Sequence, residues 1–355
     1  MDVIFARIIL NEEGKTITKR ELINDGFDCE IFINECRFKE NMKLKKDNQI
    51  IYIFKDKYNS LNNMFYGCTL LSSINLSNFD TSNLTEMNNM FYACYSLNSI
   101  NLSNLNTSNV IDMDGMFTNC TKLLNIDLSN FNTGNVKNMG GMFQNCASLT
   151  SIDLSNFNTN NVIDMNSMFY GCSSLASINL SSFKTNNVTN MGCMFYGCSS
   201  LESIDLSNFD TYNVTDMSSM LSNCSKLESI NLSNFKTDNV NNMSVMFGGC
   251  SSVNSLNLSN FNTNSVKNMC GMFNGCSKLN SLNLSNFNTN NVIYIAGMFY
   301  DCSSLTYLDI NNFNFDNINT ADKMSNMFKD CKQLKIENVK YKDIKIKNQL
   351  LLDLK

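Results

Sequence analysis

The sequence contains no histidine, no proline and no tryptophan among its 355 residues. Without an imidazole, neither a Cys–His nucleophile nor a Ser–His–Asp triad can be assembled. Basic clusters are also missing: the formal net charge is -5 and the pI near 4.9, so nothing provides the Lys and Arg footprint that phosphate backbones require, and nucleic acid is not an expected partner. No uninterrupted apolar run reaches about 18 residues, so no membrane span is expected. The opening MDVIFARIILNEEGKT lacks a basic n-region and a small-residue cleavage site and does not read as a signal peptide; on that ground the expected location is cytoplasmic. For the same reason the fifteen cysteines read as reduced thiols rather than a disulfide framework. Length alone would allow two ordinary domains, but that expectation assumes globular cores and fails for arrays.

What is present recurs. A tetrad of Met, Phe, two variable residues and Cys begins at Met64, Met90, Met116, Met142, Met168, Met194, Met220 (with Leu221 in the Phe place), Met246, Met272 and Met298 at intervals of 26, then at Met327 after 29. One short unit copied many times accounts for the lopsided composition. In the copy from Asn161 to Phe183, the residues Val162, Met165, Met168, Phe169 and Cys172 are spaced three, three, one and three apart. At 100° per residue they share an arc of about 120°, the apolar face of a short helix. Asn161 stands where an N-cap belongs and Asp164 where a capping-box acid would, a pairing repeated at Asn83/Glu86, Asn109/Asp112 and Asn213/Asp216. Leu175-x-x-Ile178-x-Leu180 then reads as a strand with alternate side chains inward. The predicted class is an α/β repeat solenoid of leucine-rich-repeat-like coils, with a parallel sheet on one face and short helices on the other. Ten coils stacked about 4.8 Å apart would span on the order of 50 Å.

Two aromatic spines follow from stacking. Phe79, Phe131, Phe157, Phe183, Phe209 and later copies form one; Phe65, Phe91, Phe117, Phe143, Phe169 and their successors form the other. The Cys column reads as small buried apolar residues, with Cys193 and Cys270 standing outside it. Three segments are expected: residues 1–60 as an N-terminal cap containing a β-hairpin, 61–331 as the repeats, and 332–355 as a C-terminal cap. The hairpin would pair residues 29–38 with 49–54 through the charged turn at Lys45 and Lys46. At the other end Glu337 falls where a strand Ile belongs, and Asn348 to Lys355 looks like a closing helix. Charge follows the same division: residues 61–320 hold 7 Lys against 16 Asp or Glu, whereas 321–355 hold 9 Lys against 5.

The unit resembles the repeat of the BspA-like leucine-rich-repeat surface proteins, whose pattern runs Met-Phe-x-x-Cys, then Leu-x-x-Ile-x-Leu-Ser-x-Phe-x-Thr-x-x-Val-x-x-Met. The match covers about residues 61–331. The resemblance implies a curved solenoid, adhesion or protein binding, and a cell-surface location as the alternative to the cytoplasm. It carries over no catalytic residue and no cofactor.

Candidate binding residues lie where the repeat varies. Two positions past the tetrad Met stand Tyr66, Tyr92, Tyr170, Tyr196 and Tyr300, against Gly248 or Asn274 in other copies. Tyrosine offers area and a hydroxyl at low entropic cost. On the outward strand face run columns through Ser151, Ser177 and Ser203, and through Asp153, Asn179 and Asp205, with Asp153 and Asp205 as candidate contacts. With the Thr column (Thr133, Thr159, Thr185), such a ladder could engage a glycan, an extended peptide or ice. Asp127 and Asp153 face each other across one coil, where weak calcium binding is conceivable, but a solvated sheet face is the preferred reading and no metal site is expected. The Asn-Leu-Ser sequons at Asn75, Asn101, Asn179, Asn231, Asn257 and Asn283 are by-products of the strand motif. The function expected is a non-catalytic protein-interaction or scaffold module; the alternatives are a cell-surface adhesin that meets a glycan or host-surface ligand, and a structural subunit of a cytoskeletal or cortical assembly.

Overall fold

The computed structural model describes residues 2–10, 13–318 and 320–354. The chain divides into two compact units, Met1–Val162 with Gly171–Ser182, and Ile163–Tyr170 with Phe183–Lys355. Each is built of the 26-residue coils.

In unit one the strands are β1 (Asp2–Ile9), β2 (Thr16–Ile17), β3 (Cys29–Ile33), β4 (Cys36–Arg37), β5 (Met42–Lys43), β6 (Asp47–Phe54), β7 (Leu71–Asn75) and β8 (Ser99–Asn101). Unit two holds β9 (Ser203–Asp205), β10 (Ser229–Asn231), β11 (Ser281–Asn283), β12 (Tyr307–Asp309), β13 (Val339–Lys340) and the helix α1 (Ile344–Asp353). Neighbouring coils pair their strands in parallel, Ile74 beside Ile100 in unit one and Ile204 beside Ile230 in unit two. The strand positions fall where Leu-x-x-Ile-x-Leu places them, but each lasts two to five residues and several described coils have no regular strand there.

Among the described residues the repeated short α-helices do not form; the last coil alone carries a single 3-10 turn, Ala321–Met324. Val162, Met165, Met168, Phe169 and Cys172 are fully buried as expected, yet the segment that carries them is a ladder of turns. In unit one the amides alternate. Asn89, Phe91 and Ala93 donate to Asp114, Met116 and Thr118 of the next coil at 2.7, 2.9 and 2.8 Å, while Tyr92 and Cys94 donate to Asn89 and Phe91 three residues back, both at 3.1 Å. Unit two repeats the scheme, with Phe195 bonded to Met220 and Gly197 to Ser222. A helix would need every amide for its own chain four residues back. Two left-handed residues per coil prevent that: Asn89 (φ 55°) and Ala93 (φ 58°), or Cys193 (φ 57°) and Gly197 (φ 70°). A left-handed residue every fourth position turns the chain inward again, so the same spacing buries the same side chains without a helix.

The capping boxes dissolve accordingly. Asp164, Asp112 and Asp216 accept from the amides of Asn166, Asp114 and Ser218 two residues on, an Asx turn rather than a helix start. The residues expected to cap and start the helix instead belong to a second parallel ladder, of single bridges, from Ser60 through Glu86 and Asp112 to Asn138 in unit one and from Asp164 through Asn190 and Asp216 to Tyr294 in unit two.

The core columns stack within each unit. Phe65, Phe91, Phe117 and Phe143 lie nearly parallel with centroids 5.5 to 5.8 Å apart, and Phe235, Phe261 and Phe287 follow at 6.2 and 6.4 Å. Each buried ring contributes about 1.5–3 kcal/mol, and only a neighbouring coil can bury it. The column thiols point inward as hydrogen-bond donors, Cys120 to the Phe91 carbonyl at 3.3 Å and Cys276 to that of Phe247 at 3.1 Å. All described cysteines are free, and burial pushes the thiol pKa up, to about 12 at Cys224 and Cys331. Cys193 and Cys270 are half-buried at a turn position and Cys36 is exposed.

The Thr column is not a surface feature. Thr133, Thr159 and Thr185 are buried, which removes the hydroxyl array that ice would need. In unit one the Thr107 hydroxyl donates to the Asn132 carbonyl at 3.0 Å and accepts from the Asn132 amide at 2.8 Å, so one side chain satisfies both backbone groups of the next coil.

Both ends are closed, though not quite as expected. Residues 29–38 and 49–54 do pair, with β3 antiparallel to β6, but the tight hairpin is β3–β4, turning at Asn34 and Glu35. The strand that meets the first coil is β1, inserted between β6 and β7 and antiparallel to both. Tyr52 and Phe54 of β6 set edge-on rings against Phe65 and Phe79 at 5.6 and 5.2 Å, closing the two spines. The Asn24 amide takes the Met64 carbonyl, which has no preceding coil. At the other end the chain shifts by two residues: Val339, not Glu337, lies beside Leu308. The even shift keeps the inward face apolar and leaves Glu337 in solvent. The closing helix starts earlier than expected, at Ile344, and ends at Asp353; Lys355 lies outside the described residues. Asp343 and Asp353 accept from the amides of Phe315 and Phe328, both at 2.9 Å. In the earlier coils the amide equivalent to that of Phe328 meets a carbonyl of the next coil, so a carboxylate here replaces the missing repeat.

Candidate functional site

The variable tyrosines emerge from the turn ladder, immediately after the buried Phe of the tetrad. Because adjacent coils repeat the backbone, identical side chains at this position fall in register and their rings meet face to face. In unit one Tyr66 and Tyr92 stack with centroids 4.7 Å apart and planes 3° from parallel. In unit two Tyr170 and Tyr196 stack at 4.5 Å and 6°. Tyr66 is 46% exposed, while Tyr92, Tyr170 and Tyr196 are half-buried against their neighbours. The pair is therefore both packed and presented: one ring face is covered by its partner and the edges and hydroxyls reach water. Partial burial, helped by the neighbouring Tyr196, raises the Tyr170 phenol pKa above its ordinary value. Tyr300 has no tyrosine beside it; Asp330 takes its hydroxyl proton as a hydrogen bond and holds the phenol pKa up. The structure thus brings four of the five into two pairs and leaves the fifth with a carboxylate.

Asp153 in unit one and Asp205 in unit two are exposed on the strand face, as their columns imply. Each spends its Oδ1 on a turn: the amides of Ser155 and Ser207 donate to them at 2.9 Å, and this hydrogen bond lowers both carboxyl pKa values. Asp127 accepts from the Ser129 amide in the same way, and its carboxyl pKa is lowered by the Ser129 hydroxyl first and that amide second. Among the described residues no group of three or more acidic, Cys or His side chains converges as a metal would require.

Other exposed residues escaped the reading of columns. Tyr95, Tyr212 and Tyr294 are 45%, 53% and 47% exposed, and Ile111, Leu124 and Ile163 also reach solvent. Their signal was in the sequence, as large apolar residues in columns filled mostly by polar or small residues: Tyr294 follows Asp216, Asn242 and Asn268, and Ile111 and Ile163 share a column with Thr189, Thr215 and Lys267. Phe5 on β1 is 43% exposed and had no repeat to betray it.

Three overlapping stretches, residues 59–177, 146–255 and 224–341, match the family described as Mycoplasma protein of unknown function, DUF285. The chain belongs to this family. Most of its length consists of the DUF285 repeat, which agrees with the BspA-like repeat protein inferred from the Met-Phe-x-x-Cys unit. No curated protein matches the chain. Among solved structures, a leucine rich cell surface protein from Faecalibacterium prausnitzii A2-165 is similar at 18% identity and a TM-score of 0.32, over 81% of this chain and 78% of that one. A TLR13–ssRNA13 complex is similar at 15% identity and a TM-score of 0.19, over 79% of this chain and 50% of that one. No helix among the described residues is long and apolar enough to cross a membrane.

Proposed function

We propose that the chain is a non-catalytic interaction module in which the stacked tyrosine pairs anchor a protein partner. The observation that carries this reading is the face-to-face registration of Tyr170 with Tyr196 at 4.5 Å, with the same arrangement at Tyr66 and Tyr92. A ring already held by its neighbour loses little rotamer freedom on binding, so contact area costs less entropy than a free side chain would. Tyrosine is also, with tryptophan and arginine, among the residue types enriched where interface energy concentrates. The absence of imidazole and the commitment of the strand-face carboxylates to turns support a binding rather than a catalytic role.

The test is capture of partners from the native cell by the tagged chain and by the Tyr170→Ala/Tyr196→Ala double variant. Loss of specific partners with unchanged circular dichroism is the expected result. An unchanged set of partners with the fold intact refutes the reading.

The resemblance of the repeat to BspA-like surface proteins favours a second reading, a cell-surface adhesin. Protease shaving of intact cells decides it: a surface adhesin is degraded while a cytoplasmic scaffold is spared.

A further inference from the structure

Where the N-terminal cap meets the first coils, the sheet runs β3-β6-β1-β7-β8. Its registers align Phe32, Ile51, Phe5, Asn75 and Asn101 as a single row on one face. The step from apolar to polar along the row has a structural cause. The cap contributes the apolar members, and the repeat contributes its Asx column. The last four strands of the row span about 14 Å at the usual strand spacing. Around them lies a groove of about 430 Å³, within the range of about 300–1,000 Å³ typical of small-molecule sites.

The chemistry of the lining narrows the occupant. An added peptide strand is excluded on this face, because β1 is hydrogen-bonded on both sides and offers no free edge. An anion finds no unpaired cation: the Arg7 guanidinium is held by both carboxylate oxygens of Asp47. What remains is an exposed aromatic ring beside Ile51 and a row of side-chain amides. Asn75 and Asn101 accept from the amides of Ser77 and Ser103 at 2.9 and 3.0 Å through Oδ1, which fixes the carboxamides in place. Their Nδ2 groups, and the Gln49 carboxamide, have no hydrogen-bond partner among the described residues. A ligand that fits has one apolar face for Phe5 and a rim of neutral hydroxyls for the amides. We propose that this groove binds an uncharged oligosaccharide, with Phe5 stacking on a pyranose face and Asn75, Asn101 and Gln49 donating to its hydroxyls. The site is independent of the tyrosine pairs.

The full-length chain is passed over a printed array of neutral galactose-, glucose-, mannose- and N-acetylglucosamine-based oligosaccharides, with sialylated and sulphated glycans beside them. A subset of the neutral glycans is retained, with no loss between low and high salt, because no charge is involved. Phe5→Ala and Asn101→Asp each weaken retention about tenfold or more, in the range of interface hot spots. Both variants keep the fold: Phe5 is on the solvent face, and Asp127 and Asp153 already form the same turn at the Asn101 position of other coils. Tyr66→Ala/Tyr92→Ala leaves retention unchanged, which separates this site from the tyrosine reading. Retention of no neutral glycan, retention confined to charged glycans and released by salt, wild-type retention by either Phe5→Ala or Asn101→Asp, or loss in the tyrosine variant overturns the proposal.

Discussion

Replacing Thr237 with valine tests whether the coils are held together by hydroxyl relays or only by apolar burial. Thr237 is completely buried. Its hydroxyl donates to the Asn262 carbonyl at 2.7 Å and accepts from the Asn262 amide at 2.8 Å. Valine has the same shape and is more apolar, so on burial alone it should stabilise. It also leaves two partly buried backbone groups of the next coil without their partner, at about 1–3 kcal/mol each. After the gain from exchanging a hydroxyl for a methyl, about 0.8 kcal/mol, the net cost is about 1–5 kcal/mol. Thr237→Ser keeps both hydrogen bonds and loses one methyl, about 0.8 kcal/mol. The expected order of stability is therefore wild type, serine, valine, which places last the variant that apolar burial alone would place first. Urea titration measures it, and amide hydrogen exchange at Asn262 locates it, which matters because repeat stacks lose stability locally at the weakened interface. A valine variant as stable as the serine variant, or with Asn262 exchange unchanged, would show that the relay contributes nothing.

Two further outcomes follow from strain and from buried thiols. Val245 holds a left-handed backbone at φ 57°, a conformation that costs a β-branched residue about 1–2 kcal/mol; Val245→Gly should raise the urea midpoint by an amount worth about 0.5–1 kcal/mol after the entropy of glycine is counted, and a lowered midpoint would mean the side chain's packing outweighs the strain. Burial raises the thiol pKa from the usual 9.0 to about 12 at Cys224 and Cys331 and to about 11 at Cys29. A raised folded value means the folded state holds its proton longer, so this stability is intact below about pH 9 and is lost as pH rises toward 11–12. Chemical denaturation at increasing pH should therefore show a fall beginning near 9, and a flat profile to 11 would contradict the burial of the column.

The period, the inside and outside of nearly every column, and the need for distinct ends were legible in the sequence because each depends on residue type at a fixed interval. Phe91, Met116 and Cys120 are apolar wherever the unit repeats, and no arrangement of coils leaves them in water. The tyrosine pairs were half legible: the column was visible, its coplanar stacking was not. The third residue after the tetrad Met is Gly67, Asn119, Asn145, Gly171 or Asn223, types that favour the left-handed backbone, and this column argues against a helix.

The sequence alone determined which side chains go inside and that the unit must stack on copies of itself, since apolar spacing is a local property that any inward-turning backbone must honour. Tertiary structure decided how the backbone gets there. The amides of Asn89, Phe91 and Ala93 could close a helix with their own chain or a ladder with carbonyls one repeat away, and no local window contains the second acceptor. The same distance hid the burial of Thr133, whose value lies in the next coil's backbone, and the insertion of β1 beside β7, some sixty residues on in the chain. Periodicity identifies the partner column, but only the packed coils settle which hydrogen bonds it makes.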